Sequence, residues 1–280
     1  MGYLDTAGAG DAMMQSMNMV GLVRFSVLTP TYYSERFANL KQTARHLFNP
    51  DRMELRFSVF ENLCLPSLVR QSDPNFDLVV LTAKAMPELY LNRLADLLAP
   101  YDNIHLRPVG TRNHYRLLKQ GYDSVPSKGA SHRILFRLDD DDAVDLGFVC
   151  RTRRLATGLL PLQPAETSFV IAHNRGFYLQ ATPDGPQVFD AIEQAPLSAG
   201  TALVTPVESG ANPYRFNHRR LARHYNLYSD MQVPAYIRTI HGDNKSDPAQ
   251  TGITGRMDPD EIDASLQAHF GQSLAALKGL

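Results

Sequence analysis

Short apolar runs alternate with amphipathic stripes along the first half of the chain. The stretches 25–29, 77–81, 104–106 and 134–138 have the length and the β-branched or aromatic content of buried strands. Helical patterns lie between them. Residues 34–48 read as a helix ended by Asn49-Pro50, and a second helix starts at Asp51 with Glu54 as its capping-box partner. Met53, Phe57, Phe60, Cys64 and Leu68 fall on one face of that helix, and Pro66 kinks or ends it. Pro87 opens a third helix with the stripe Leu91, Leu94, Ala95 and Leu98, and residues 115–122 form a fourth. Such alternation predicts βαβ units and a parallel, doubly wound sheet.

Near residue 160 the regular alternation gives way to mixed elements. A helix is expected over 147–159, a hairpin of 169–172 and 176–179 around His173-Asn174-Arg175, and a strand over 201–204. A basic helix over 215–224 and a last strand over 235–240 follow, the strand delivering the polar cluster 241–246. Asp258-Pro259 starts a terminal helix with Ile262, Leu266 and Phe270 on its buried side and Gly271 at its end. The expected class is α/β: a mixed, mainly parallel sheet flanked by helices in a single compact unit. Residues 1–21 are read as a disordered tail and 22–250 as the domain. Its nucleotide-binding half is 22–145, its acceptor half 146–250, and 251–280 is a helical tail.

Composition narrows the function classes. The 28 Lys and Arg nearly balance the 29 Asp and Glu, which argues against nucleic-acid binding by bulk charge. Cys64 and Cys150 sit in apolar helical patterns without metal-ligand spacing and read as buried free thiols of a reducing compartment. No apolar run approaches the roughly 18 to 20 residues of a membrane span. The methionine-rich start, with Met13, Met14, Met17 and Met19, lacks the basic and apolar regions of a secretory signal. Its first residues match a myristoylation pattern that is short and often met by chance.

The strand at 134–138 ends in Asp139-Asp140-Asp141-Asp142. Ligands of open α/β sheets bind beyond the carboxyl ends of the strands. Four adjacent carboxylates repel one another there, and a divalent cation would cancel that cost. Mg2+ and Mn2+ take oxygen ligands and often bridge carboxylates to phosphates. A metal-diphosphate site is favoured over a solvated acidic turn, because the run follows a buried strand directly. The first strand, opening into Thr29-Pro30-Thr31-Tyr32, offers hydroxyls for a nucleotide at the same edge.

Several stretches carry a family resemblance. The stretch 25–32, the pair Arg112-Asn113 and the run 138–142 resemble inverting glycosyltransferases of the glycosyltransferase-A fold. The stretches 61–68, 137–142 and 237–244, in that order, look like the bacterial rhamnosyltransferase family, with a resemblance spanning about residues 24–247. It implies a nucleotide-activated sugar donor (dTDP- or UDP-linked), a glycan or glycolipid acceptor, and Mn2+ or Mg2+. Asp139 and Asp141 match the metal pair, with His241 as a third ligand late in the chain. Asp142 is a donor-sugar or supporting contact, and Asp140 is expected to point away. Arg137 either orients the Asp139 carboxylate or is its charge partner. The nucleotide candidates are thus Thr29, Pro30, Thr31, Tyr32, Thr82, Arg112, Arg137, Asp140 and Asp142. Thr82 stands where relatives often carry a base-reading Asp, so the nucleobase is left open. An inverting enzyme also needs a general base; the candidates are Asp230 first, then His218 and Glu208. The implied location is cytoplasmic, with peripheral attachment at the inner membrane as an open alternative. A nucleotidyltransferase would want a Gly-rich, Lys-bearing loop after the first strand, which 29–32 lacks. A non-catalytic module that binds a sugar, a nucleotide or a metal would keep the fold and transfer nothing.

Overall fold

The computed structural model describes residues 16–240 and 252–280. Strand β1 spans Met17–Phe25, earlier than the pattern predicts. Residues 17–21, expected in a loose tail, are part of the sheet. The misleading signal is the methionine content, since Met17 and Met19 resemble the residues before them, and Gly21 within the strand has a packing reason. A Cβ there would stand 2.2 Å from Cζ of Phe136, so only glycine lets β1 lie against that ring. After Phe25 the chain leaves the sheet through Ser26, whose φ of 51° is unusual for a residue with a side chain. Residues 26–29 are consequently loop, not strand. The rest of the expected tail, 1–15, lies outside the described residues.

Helix α1 (Leu40–Leu47) begins later than expected, where Asn39 accepts a hydrogen bond from the Gln42 N–H. Helix α2 (Pro50–Val59) is capped by the Asn49 side chain, so the Asp51–Glu54 box does not form. A π-helical turn, Phe60–Cys64, joins it to α3 (Leu65–Val69). Pro66 sits in the first turn of α3, where a missing N–H is tolerated, and the helical run continues to Val69. Then come β2 (Asp77–Ala83), α4 (Glu88–Leu98), β3 (Ile104–Val109), α5 (His114–Asp123), β4 (His132–Asp139), β5 (Ala143–Val144) and α6 (Phe148–Leu159). The second half holds β6 (Phe169–His173), β7 (Arg175–Gln180), β8 (Gln187–Ile192), β9 (Thr201–Pro206), β10 (Asn226–Asp230) and β11 (Tyr236–Ile240). Helices α7 (Pro259–Phe270) and α8 (Leu274–Lys278) close the chain.

The described strands form two sheets, of order β10-β6-β9-β4-β1-β2-β3 and β5-β11-β7-β8. In the larger, β4, β1, β2 and β3 are parallel, while β9 runs antiparallel to both β4 and β6. On one face Met19, Val23, Phe25, Ile134 and Phe136 pack with Met53, Phe57, Phe60 and Phe148. On the other, Val20, Leu22, Val79 and Leu135 pack with Leu117, Leu118 and Tyr122 of α5. Period-2 facing on β1 thus feeds two cores, and each large apolar side chain buried contributes about 1.5–3 kcal/mol.

The hairpin expected around 173–175 is absent. β6 pairs with β9 and β10, whereas β7 pairs with β8 and β11, so the chain changes sheets at Asn174. The expected basic helix shortens to a 3-10 turn, His218–Arg223. Cys64 is buried as expected, but Cys150 is exposed, on the outer face of α6. The terminal helix α7 carries a capping box at Asp258 and Glu261, buries Ile262, Leu266 and Phe270, and ends on Gly271 in the left-handed conformation.

Candidate functional site

The carboxyl ends of β1 and β4 meet in register, Arg24 beside Asp139. Over them lies a cavity of about 590 Å³, within the size range of small-molecule sites. The loop after β1, helix α2, the end of β4, the 214–218 segment and β11 all contribute to its wall. Among the described residues six arginines line it, Arg24, Arg52, Arg56, Arg137, Arg215 and Arg238, against the four aspartates Asp139 to Asp142.

The aspartates are not a bare acidic cluster. Both Nε and a terminal nitrogen of Arg24 donate to Asp139 Oδ1. Arg56 grips Asp140 with a two-nitrogen fork and reaches Asp141 Oδ2 at 2.7 Å. Asp142 Oδ1 accepts from the Thr239 N–H at 3.0 Å, with the charge of Arg238 nearby. Burial would raise the Asp139 carboxyl, but Arg24 and Arg137 hold it far below the ordinary carboxylate range. Burial, backed by the charges of Asp141 and Asp139, pushes Asp142 well up. Asp140, expected to point away, is 3% exposed and faces the cavity with its neighbours.

Arg56 and Arg24 are the residues that the sequence pattern does not single out. Arg52 and Arg56 are four apart on α2, so one helix face delivers both to the cavity. Arg52 anchors there by donating to Ser26 Oγ at 3.0 Å and to the Leu47 carbonyl at 2.9 Å. Arg24 is the lone charge inside the apolar run of β1, which is the signal that could have found it. Its guanidinium lies 4.7 Å from the Tyr32 ring centre and 5.5 Å from that of Tyr214. Arg137 lies 4.1 Å over Tyr214, and its Nε is buried without a hydrogen-bond partner among the described residues.

The candidates divide. Tyr32, Arg137, Asp139, Asp140, Asp141, Asp142 and His218 line the cavity together. Thr29, Pro30, Thr31, Thr82 and Arg112 are not in its wall. Thr29 is buried and accepts from the Tyr32 N–H, Thr31 accepts from the His114 N–H, and Pro30 and Arg112 are exposed. Thr82 is fully buried with its hydroxyl on the Met86 sulfur, so it faces the core instead of a nucleobase.

Of the candidate bases only His218 faces the cavity. Burial, with the charge of Arg137, pushes its imidazole down to about 3. Glu208 is exposed on the Val207–Ser209 turn, away from the cavity. Asp230, the first candidate, is 2% exposed and serves a buried network. Its Oδ2 accepts from His173 Nδ1 at 2.9 Å and from Arg151 Nε at 3.1 Å, and Oδ1 accepts from the Gln232 N–H. His241 lies outside the described residues.

A divalent cation at Asp139 and Asp141 is tested by these contacts. Arg24 and Arg56 already supply a cation to each, and the described residues hold no group of three His, Cys, Asp or Glu arranged for a metal. The side chains as they stand do not fit Mn2+ or Mg2+.

A family model described as "Putative rhamnosyl transferase" matches residues 18–253. No curated protein matches the sequence significantly. Among solved structures, S. aureus TarS aligns at TM-score 0.43 and 11% identity, covering 80% of this chain and 37% of that one. TarS 1-349 in complex with UDP aligns at 0.41 and 12%, covering 80% and 61%. The mannosyltransferase PcManGT from Pyrobaculum calidifontis, in complex with GDP-Man and Mn2+, aligns at 0.43 and 10%, covering 81% and 58%. The chain therefore spans between 37% and 61% of the length of these structures. No helix among the described residues is long and apolar enough to cross a membrane.

Proposed function

The chain belongs to that rhamnosyl transferase family, matched over most of its length, and from this premise we propose that it moves a sugar from a nucleoside-diphosphate donor to a hydroxyl of a glycan or glycolipid. The observation that carries this reading is the charge of the cavity, six arginines against four aspartates at the carboxyl edge of a parallel sheet. A surplus of guanidinium groups over carboxylates suits a diphosphate. Rhamnose as the sugar, and dTDP or UDP as its carrier, rest on the family's description and on the resemblance of the motifs.

In the inverting form of the reaction, an acceptor oxygen attacks the anomeric carbon as the bond from that carbon to the diphosphate oxygen breaks. Negative charge builds on the departing oxygen, and fixed cations around it lower the barrier most where it develops. Arg137 and Arg238 are our candidates for that role. The acceptor's proton goes to His218 in this reading. Its imidazole is neutral at pH 7, and a bound diphosphate offsets the Arg137 charge that depresses it, making it a better proton acceptor. Tyr32 would stack with the nucleobase, since its ring lines the same wall. A metal-dependent form would require Asp139 and Asp141 to exchange their arginines for Mn2+ or Mg2+.

The test is release of nucleoside diphosphate from UDP-, dTDP- and GDP-sugars by the purified protein, with and without oligosaccharide acceptors. We expect turnover of at least one donor, and His218→Gln should lower kcat by about 10²–10⁴-fold with little change in KM for the donor. A folded protein that releases diphosphate from none of them is a sugar-binding module instead.

A further inference from the structure

The disagreement between the aspartate run and its partners has a consequence for how the donor is held. We infer that this site binds the donor diphosphate without a divalent cation, Arg137 and Arg238 carrying the phosphates while Asp139 to Asp142 fix the surrounding arginines. The inference rests on the transferase reading above and deepens it.

Position comes first. A cation bridging Asp139 and Asp141 would stand beside the Arg24 and Arg56 guanidinium groups already bonded to those carboxylates, and both would repel it. Arg56 is committed on three nitrogens, its Nε and both terminal ones. Arg24 is committed to Asp139 and, through its other terminal nitrogen, lies 3.3 Å from His114 Nε2. These two are fixtures of the wall.

Availability comes second. Arg137 is 7% exposed, lines the cavity, and makes no ion pair or hydrogen bond among the described residues. Leaving a buried guanidinium nitrogen unpaired is costly, and a ligand oxygen would remove that cost. Tyr214 lies against it, 4.1 Å from ring centre to guanidinium carbon, and both side chains line the cavity. Arg238, 8% exposed, stands on β11 at the same cavity, held by the charge of Asp142 and by the Tyr178 hydroxyl, with its other donors left for a ligand. Strands β4 and β11 thus offer one arginine each to a bridging anion.

Charge balance comes third. Arg215 is exposed and the Asp142 carboxyl is pushed towards its neutral form, so the five other arginines face three ionised aspartates and leave the described wall about two charges positive. A diphosphate linking a nucleoside to a sugar carries about two negative charges, one on each phosphate. Ligand and wall then cancel, whereas an added divalent cation would leave about two buried positive charges uncompensated, which is unfavourable.

The experiment is calorimetric titration of the full chain with UDP, dTDP and GDP, in EDTA and again in Mn2+ or Mg2+. We expect the nucleotide that binds to do so in EDTA with an affinity within about twofold of that in metal. Arg137→Gln and Arg238→Gln, checked for an unchanged unfolding midpoint, should each weaken it about tenfold or more. Binding that appears only with metal, and disappears in Asp139→Asn, overturns the inference and leaves the transferase reading standing. Failure of every nucleotide to bind in either buffer overturns both.

Discussion

Arg56 ties helix α2 to the end of β4 by bonding Asp140 and Asp141. All three side chains are under a tenth exposed, so removing the cation takes the two-nitrogen fork from the buried Asp140 carboxylate and one bond from Asp141. Breaking a buried pair in this way costs about 3–5 kcal/mol, and Arg56→Gln should lose about that much in urea unfolding. A loss under about 1 kcal/mol, the scale of exposed pairs, would mean that the carboxylates find another partner. Gly21→Ala should also destabilise, by about 1–3 kcal/mol or more, because its methyl meets the Phe136 ring. A variant as stable as the parent by the same measurement would show that the ring can move aside. At this scale the sequence was half legible. Four aspartates after an apolar run announced a site, but their partners come from positions 84 to 115 residues away. No local pattern reports such a contact, since Arg52 and Arg56 on a helix look like any solvated face.

Elements were easier to read where the signal was local. Helix α7 has its cap, its proline, its apolar stripe and its terminal glycine within one short stretch, and all of them act as their chemistry predicts. Asp258→Ala should cost about 0.5–2 kcal/mol, measured by thermal unfolding, and an unchanged midpoint would show that α7 contributes little to cooperative stability. The elements missed depend on distant partners. β6 and β7 read as a hairpin because both are apolar and the link between them is short. Strand pairing is chosen by the neighbours instead: β9 and β10 take β6, and β8 and β11 take β7. β1 starts earlier than the pattern suggests because Met17 and Met19 resemble the methionine-rich stretch before them, and only the pairing shows that they belong to the sheet.

For the whole molecule, the network of Asp145, Arg151, His173 and Asp230 joins α6 to β6 and β10 beneath the larger sheet. Thr152 Oγ1 stands 2.9 Å from His173 Nε2, so both ring nitrogens are engaged. Burial pushes the His173 imidazole below its ordinary 6.5. Burial would raise Asp230, but hydrogen bonds from His173 and the Gln232 N–H hold it down at about 2. In both cases the unfolded chain binds a proton that the native state refuses, so stability rises with pH. Acidification should therefore weaken the fold below 6.5 through His173, and again from 3.8 towards about 2 through Asp230. Urea midpoints measured from about pH 7 to about pH 5 should fall, and fall less steeply in His173→Gln. An identical slope in the variant would remove His173 from this account. The same network explains why Asp230 is unsuited to take a proton from an acceptor: it is spent on architecture.

The α/β class and the parallel half of the sheet were legible because strand and helix periods alternate along 1–145, while the antiparallel insertion of β9 was not, since it is set by pairing across the chain. The central claim, that the cavity at the ends of β1 and β4 holds a nucleoside diphosphate, is tested most directly by a crystal structure of the protein with the nucleotide that binds it. The account predicts phosphate oxygens within hydrogen-bonding distance of Arg137 and Arg238 and a nucleobase against Tyr32. Diphosphate bound elsewhere, or held in this cavity by a metal on Asp139 and Asp141 with Arg24 and Arg56 displaced, would contradict it.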